Sequence, residues 1–184
     1  MDYFSKYLLR ISKRLRRAKW WNYTNAGFYF ITINTELKLH YFGEIKDGKM
    51  ILTTSGIKVN EIWHLIPIQF PFIVLHEFVV MPNHIHGLIE IKKPNYLNLK
   101  MDVLEFNKNG GIAGLKNLMF TNNLSKVIRW FKGRTTFEIR KTNKYFYWSK
   151  NFHDIIVRDN ISKIKISKYI QNNIKTWSQK GPEF

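Results

Sequence analysis

The stretch V-V-M-P-N-H-I-H-G-L-I-E-I, residues 79–91, leaves the chain few ways to fold. It is apolar, it is interrupted by a Met81-Pro82-Asn83 corner, and two histidines stand two residues apart just past that corner. Side chains alternate along a strand, so His84 and His86 share one face, with Cα atoms roughly 6.5–7 Å apart. Ile85, Ile89 and Ile91 then point to the other face and need a core. Two imidazoles on one face can bind one divalent metal when a third ligand comes from across the sheet. An isolated His-x-His pair is more often structural, so the pair alone decides nothing.

The elements around this strand read in order. Phe28 to Asn34 (F-Y-F-I-T-I-N) follows Gly27, is β-branched and aromatic, and reads as a buried strand. A hairpin follows: Tyr41 to Ile45, an Asp47-Gly48 turn, then Lys49 to Thr53. Thr54 or Ser55 is placed to cap a helix whose stripe is Val59, Ile62, Trp63 and Ile66, ended by Pro67 and Pro71. Phe72 to Val80 is the next strand, and the corner turns it into the histidine strand. A basic helix is expected from about Asn123 to Lys141, with Leu124, Ile128 and Phe131 as its stripe. A last strand near His153 to Val157 leads to a helix from about Ile161 to Trp177, capped by Asp159 or Asn160. Its apolar stripe is Ile166, Ile170, Ile174 and Trp177, with Tyr169 and Asn173 four apart at the border. Strand, helix, strand, strand opens an α+β ferredoxin-like (RRM-like) fold, an antiparallel sheet backed by helices.

Charge supplies the second constraint. Thirty Lys+Arg against 13 Asp+Glu give a net charge of +17 in 184 residues, which suggests a polyanion partner, and nucleic acid is the usual one. Residues 1–21 form a basic arm ahead of the domain at 22–184. Arg14, Arg16, Arg17, Trp20 and Trp21 are its candidate DNA contacts, the tryptophans either stacking on bases or packing at the arm's root. Arg129, Lys132 and Arg134 on the basic helix are further DNA-binding candidates, and a merely solvated face is the alternative. Residues 92–118, rich in Asn and Lys with a Gly110-Gly111 pair, read as a loop or insertion. The Gly pair is no phosphate loop, because no Gly-Lys-Ser/Thr follows it. With no cysteine there is neither a disulfide nor a thiolate metal site. No apolar run approaches the roughly 20 residues of a membrane span, and the N-terminus lacks a signal-peptide core, so a cytoplasmic protein is expected.

If the substrate is a DNA strand to be cut and rejoined, one chemistry unites these residues. A tyrosine oxygen that attacks a phosphodiester keeps the energy of the broken bond in a phosphotyrosine link, so rejoining needs no nucleotide cofactor. Free tyrosine, with a pKa near 10, is a poor nucleophile at neutral pH. A divalent metal helps by polarising the phosphate oxygens. Asn173, one helical turn from Tyr169, can supply an amide oxygen as third ligand if the last helix lies over the histidine strand. A tyrosine beside an apolar stripe is nonetheless more often core than nucleophile.

The histidine segment resembles the His-hydrophobic-His motif of the small single-tyrosine transposases. The last helix, K-Y-I-Q-N-N, is similar to their nucleophile helix, in which Gln or Asn follows the Tyr by four residues. The nearest likeness is to the REP-associated tyrosine transposases, relatives of the IS200/IS605 group. Three more segments agree: G-F-Y-F-I-T-I-N, R-W-F-K-G-R-T-T, and Y-W-S-K-N-F-H-D-I-I-V-R-D-N, so the likeness runs from about Asn22 to Trp177. It implies a ferredoxin-like fold with a C-terminal catalytic helix. It also implies Mg2+- or Mn2+-dependent cleavage and joining of single-stranded DNA near hairpin repeats. Tyr169 would be the nucleophile, and His84, His86 and Asn173 the metal ligands, in a monomer or homodimer. Ile174 stands where the branch usually has Pro, and the 92–118 segment is outside the pattern.

Two alternatives stand beside this reading. One is a non-catalytic RRM-like nucleic-acid binder with Tyr29 and Phe30 as its stacking platform. The other is a replication initiator or relaxase. Relaxases place their tyrosine ahead of the histidines, and initiators commonly pair it with a lysine; neither fits as well.

Overall fold

The computed structural model describes residues 21–92 and 123–178. Within them the chain runs β1 (Gly27–Asn34), β2 (Gly43–Lys46), β3 (Lys49–Leu52), α1 (Thr54–His64), α2 (Ile66–Gln69), β4 (Ile73–Met81), β5 (His84–Ile91), α3 (Leu124–Arg140), β6 (His153–Val157) and α4 (Asn160–Ser178). Four strands form one antiparallel sheet in the order β4-β5-β1-β6, and β2 with β3 makes a separate hairpin. This is the ferredoxin-like α+β arrangement expected from the sequence, with one hairpin inserted after β1 and one helix added after β6. The expected strands agree with the observed ones to within a residue or two, and β6 agrees at both ends.

The sheet is two-sided because its central strands alternate. From β1, Tyr29, Ile31 and Ile33, and from β5, Ile85, Ile89 and Ile91, enter a core closed by Val59, Ile62 and Trp63 of α1 and Leu124, Val127, Ile128 and Phe131 of α3. The opposite face carries Phe30 and Leu88, which pack with Val157, Ile166 and Ile170 under α4. Among the described residues, one face therefore holds α1, α2 and α3 and the other α4. Tyr29 is fully buried and Phe30 is 4% exposed, so the aromatic platform expected of an RRM-like binder is not on the surface. The face such a platform would use lies beneath α4.

Local chemistry explains where the elements begin and end. Asp47 and Gly48 have φ of 50° and 69°, the left-handed pair a two-residue hairpin turn needs. Thr53, rather than Thr54 or Ser55, caps α1: its Oγ1 accepts from Gly56 N at 3.2 Å while donating to Tyr41 O at 2.7 Å. Pro67 does not end α1; it sits in the first turn of α2, where a missing N–H costs nothing. Asn123 caps α3 through Lys126 N. Asp159 is the cap of α4, accepting from Ser162 N at 2.7 Å and from its hydroxyl at 2.9 Å. These hydrogen bonds hold the Asp159 carboxyl below the ordinary carboxylate range.

Two predictions follow from the packing. A Cβ at Gly87 would lie 2.3 Å from the Trp63 ring, which is fully buried and stacked on Phe78 at 4.4 Å. Gly87→Ala should cost about 1–3 kcal/mol, read as a lowered urea midpoint at unchanged slope. Because the folded Asp159 pKa is depressed, its capping stability is present above the unfolded-state pKa and is lost as pH falls through the folded value. Asp159→Asn keeps a cap that does not titrate, so its melting temperature should fall less steeply in acid than that of the unaltered chain.

Candidate active site at the histidine strand

β5 pairs with β1 so that Asn34 faces His84 and Thr32 faces His86. This register puts both imidazoles on the face beneath α4, and both are buried, at 8% and 6% exposure. Their Nε2 atoms lie 3.1 Å apart. The corner fixes the orientation of the first ring. Asn83 Nδ2 donates to Lys38 O at 3.1 Å, which turns Asn83 Oδ1 toward His84 Nδ1 at 2.7 Å. An amide oxygen only accepts, so His84 carries its proton on Nδ1 and aims the Nε2 lone pair at His86. The second ring is held by Thr32 Oγ1, 2.8 Å from its Nδ1, and lies against Phe30 with centroids 5.2 Å apart.

α4 brings the remaining residues. Tyr169 OH lies 3.4 Å from His86 Nε2, with ring centroids 5.4 Å apart and Phe30 edge-on to the phenol at 5.9 Å. Two turns further on, the Trp177 ring is 5.4 Å from that of His84. Asn173 lies midway between these contacts and is 5% exposed. The buried stripe of α4 thus runs through Ile166, Ile170 and Asn173, and Ile174, expected there from its apolarity, is only half-buried. A polar residue on a buried stripe needs a polar reason, and Asn173 stands on the helix between the residue that touches His86 and the one that touches His84. His84, His86, Tyr169 and Asn173, distant in sequence, are therefore brought to one place by a single chain.

The residues fit a divalent cation. Two nitrogens bonded to one metal at about 2.0–2.1 Å and a right angle stand about 3.0 Å apart, close to the spacing of the two Nε2 atoms. Two lone pairs facing one another at that distance repel unless a proton or a cation lies between them. The Nδ1 contacts of Asn83 and Thr32 are the outer partners that such ligands usually have. Among the described residues no three His, Cys, Asp or Glu side chains form a metal-binding group, so a third protein ligand has to be of another type, such as the amide of Asn173.

The candidate DNA contacts are placed differently from the catalytic ones. Arg14, Arg16, Arg17 and Trp20, and most of the 92–118 segment, lie outside the described residues. Trp21 packs at the root of the arm, its Nε1 donating to Tyr29 OH at 3.1 Å. Arg129 and Arg134 are exposed on α3, across the sheet from Tyr169, and Arg134 pairs with Glu138 at 3.0 Å. Lys132 donates to the carbonyls of Ser149 and Lys150 at 2.7 and 3.2 Å, and burial pushes its ammonium pKa down. Its charge clamps the loop into β6. Cations on the tyrosine's own helix went unremarked in the sequence: Lys163, Lys165 and Lys168 lie along it, and Lys163 lies 3.9 Å over the Phe28 ring. Asn83 and Thr32 were legible only as a turn and a strand residue, because their role depends on partners 45 and 54 positions away.

Replacing Asn83 by Ala should cost about 1–3 kcal/mol through the unsatisfied buried groups it leaves. Nitrogen NMR of the His84 ring should then show a mixture of tautomers where the parent protein shows the proton on Nδ1.

No protein-family model matches the chain. An uncharacterized protein of Haemophilus influenzae is 36% identical over 172 residues, covering 91% of each chain. Among solved structures, that of a REP-associated tyrosine transposase bound to a REP hairpin overlays with a TM-score of 0.56 at 15% identity, covering 88% of this chain and 74% of the other. At that identity the overlay establishes the fold. No helix among the described residues is long and apolar enough to cross a membrane.

Proposed function

We propose that this chain, which belongs to one family with the Haemophilus influenzae protein and has the fold of a REP-associated tyrosine transposase, cuts and rejoins single-stranded DNA through a phosphotyrosine intermediate. The observation that carries the proposal is the meeting of the Tyr169 hydroxyl with His86 Nε2 at 3.4 Å, beside a second imidazole and a buried amide. The substrate is DNA at hairpin repeats, by analogy with the hairpin-bound transposase that shares the fold. The net charge of +17 suits such a polyanion.

His84, His86 and Asn173 are the residues that would hold Mg2+ or Mn2+. Bound there, the cation would polarise the non-bridging phosphate oxygens and neutralise the charge that develops on them. Tyr169 supplies the nucleophile. Its oxygen forms a bond to phosphorus as the bond from phosphorus to the 3′ oxygen breaks. The phenolic proton is given up and the leaving 3′ oxygen gains one. The products are a 5′-phosphotyrosine and a free 3′ hydroxyl, and attack by a 3′ hydroxyl on the link reverses the step. One phosphodiester replaces another, so no external energy source is consumed. Before substrate arrives, Phe30 and the His86 ring hold the phenol in place, which spares the reaction the entropy of finding it.

Incubation with a single-stranded hairpin oligonucleotide and Mg2+ or Mn2+ should give a DNA–protein band that survives denaturant. Tyr169→Phe should abolish the band while leaving DNA binding nearly unchanged, and an undiminished band would remove Tyr169 from the role. Asn173→Ala should raise the cation concentration needed for half-maximal adduct; an unchanged requirement would exclude it as a ligand.

A further inference from the structure

Two loops at the histidine end of the sheet expose large apolar side chains that the strand-transfer chemistry leaves unused. Leu37 and Leu39 are 81% and 47% exposed, and Tyr145 and Tyr147 are 81% and 52% exposed. Each loop is rigidly anchored. Leu37 and Lys38 take φ of 53° and 55°, two successive left-handed residues without glycine. They are held there by Asn83, whose side chain donates to Lys38 O and whose carbonyl accepts from the Thr35 backbone and hydroxyl at 2.9 Å each. In the second loop Phe146 and Trp148 are buried on either side of Tyr147, so alternation turns Tyr147 outward. Its ring carries the Arg140 guanidinium at 4.1 Å, itself fixed by Phe146 O at 3.0 Å, and Tyr41 OH donates to Tyr145 O at 2.7 Å.

The two loops adjoin each other and the candidate site. Glu36 N donates to Tyr147 O at 2.8 Å, and Thr35 bridges to Trp148. Asn34 faces His84 across β1 and β5, and Tyr147 lies opposite Glu36, two residues further along, which puts it about 12 Å from that histidine at ordinary strand spacing and rise. On the other side His40 lies 6.3 Å from the Trp177 ring, which rests on His84. The surface is basic as well as apolar: Glu36 is the one acidic residue in 35–40 and 144–148, against Lys38, Lys144 and the stacked Arg140.

We propose that Leu37, Leu39, Tyr145 and Tyr147, with Arg140, form a stacking platform for unpaired nucleotides that flank the scissile phosphate. Exposed aromatic rings beside cations are the chemistry by which single strands are held without regard to sequence, each base lying on a ring while its phosphate meets a cation. The cation excess suits a polyanionic strand, whose every nucleotide carries a phosphate, better than a neutral protein surface. The flanking position rests on the strand-transfer reading; the affinity for unpaired bases does not.

The test measures binding alone. In the Tyr169→Phe background and in EDTA, fluorescence anisotropy compares a hairpin carrying an unpaired flank with the same hairpin lacking it. Tyr145→Ala with Tyr147→Ala should weaken binding of the flanked hairpin at least about 10-fold and leave the blunt one unchanged, since each stacked base is lost with its ring. Tyr147→Phe, which keeps the ring, should restore binding in the Tyr145 wild-type context, and 2-aminopurine in the flank should lose its quenching only in the alanine variant. Leu37→Asp, at a site too exposed to disturb folding, should weaken the flanked hairpin selectively by setting a carboxylate against the phosphates. Equal effects on both hairpins, or none, overturn the platform. So does a changed sedimentation coefficient with unchanged DNA affinity, which would assign the surface to self-association. Wild-type protein that prefers the flanked hairpin yet forms no adduct sinks the strand-transfer reading and leaves the platform standing. Adduct formation with no effect of these variants does the reverse.

Discussion

Asn83 is the residue on which the rest of the site depends. It stands between β4 and β5, is buried, and satisfies four partners: Thr35 N and Oγ1 at its carbonyl, Lys38 O at its amide nitrogen, and His84 Nδ1 at its amide oxygen. A buried amide with one arm committed cannot turn without orphaning the others, so the His84 ring inherits its direction from the backbone. The same side chain keeps Leu37 and Lys38 in a conformation that costs residues with side chains roughly 1–3 kcal/mol apiece. Strained loop and aimed imidazole are held by one group.

The sheet converts this local constraint into a site by having two unlike faces. One face is conventional, with isoleucines of β1 and β5 under α1 and α3. Among the described residues the other is covered by α4, seated through a narrow apolar cluster of Phe30, Leu88, Val157, Ile166 and Ile170. Beyond that patch toward the corner, the contacts between α4 and the sheet become aromatic and polar: Tyr169 on His86, buried Asn173, Trp177 on His84. The apolar half of the interface positions the polar half. The basic face of α3 lies across the sheet from Tyr169, and the lysines of α4 itself are closer in the chain to the chemistry. Strand order and the two helical layers therefore separate two cationic surfaces that net charge alone cannot distinguish.

Much of the fold was legible because its signals are local. The F-Y-F-I-T-I-N run, the Asp47-Gly48 turn and the period of the α3 stripe each specify an element from a few adjacent residues. Boundaries were less legible where neighbouring caps competed: Thr53 won over Thr54 and Ser55 because its hydroxyl also reaches Tyr41 O, a contact made only once the hairpin folds back. Ile174 was read into the buried stripe by its apolarity, and Asn173 holds the place because the helix's rotation over the sheet is set by Ile166 and Ile170. From β1 alone, Tyr29 and Phe30 offered an RRM-like platform as the alternative. The structure buries Phe30 beneath α4 and Tyr29 in the core on the opposite face, and no pattern within β1 reports the added helix.

By itself the sequence determined the two-residue periodicity that sets His84 and His86 on one face, the four-residue spacing that sets Tyr169 and Asn173 on one side of a helix, and the cationic excess. These are properties of neighbours along the chain, where covalent geometry settles direction. Only the tertiary structure decided that the two pairs meet, that Asn83 chooses the His84 tautomer, that Lys132 is spent on carbonyls, and that α4 seals the sheet. Those outcomes join residues tens of positions apart, and the packing of complementary surfaces, rather than any local preference, brings such residues together.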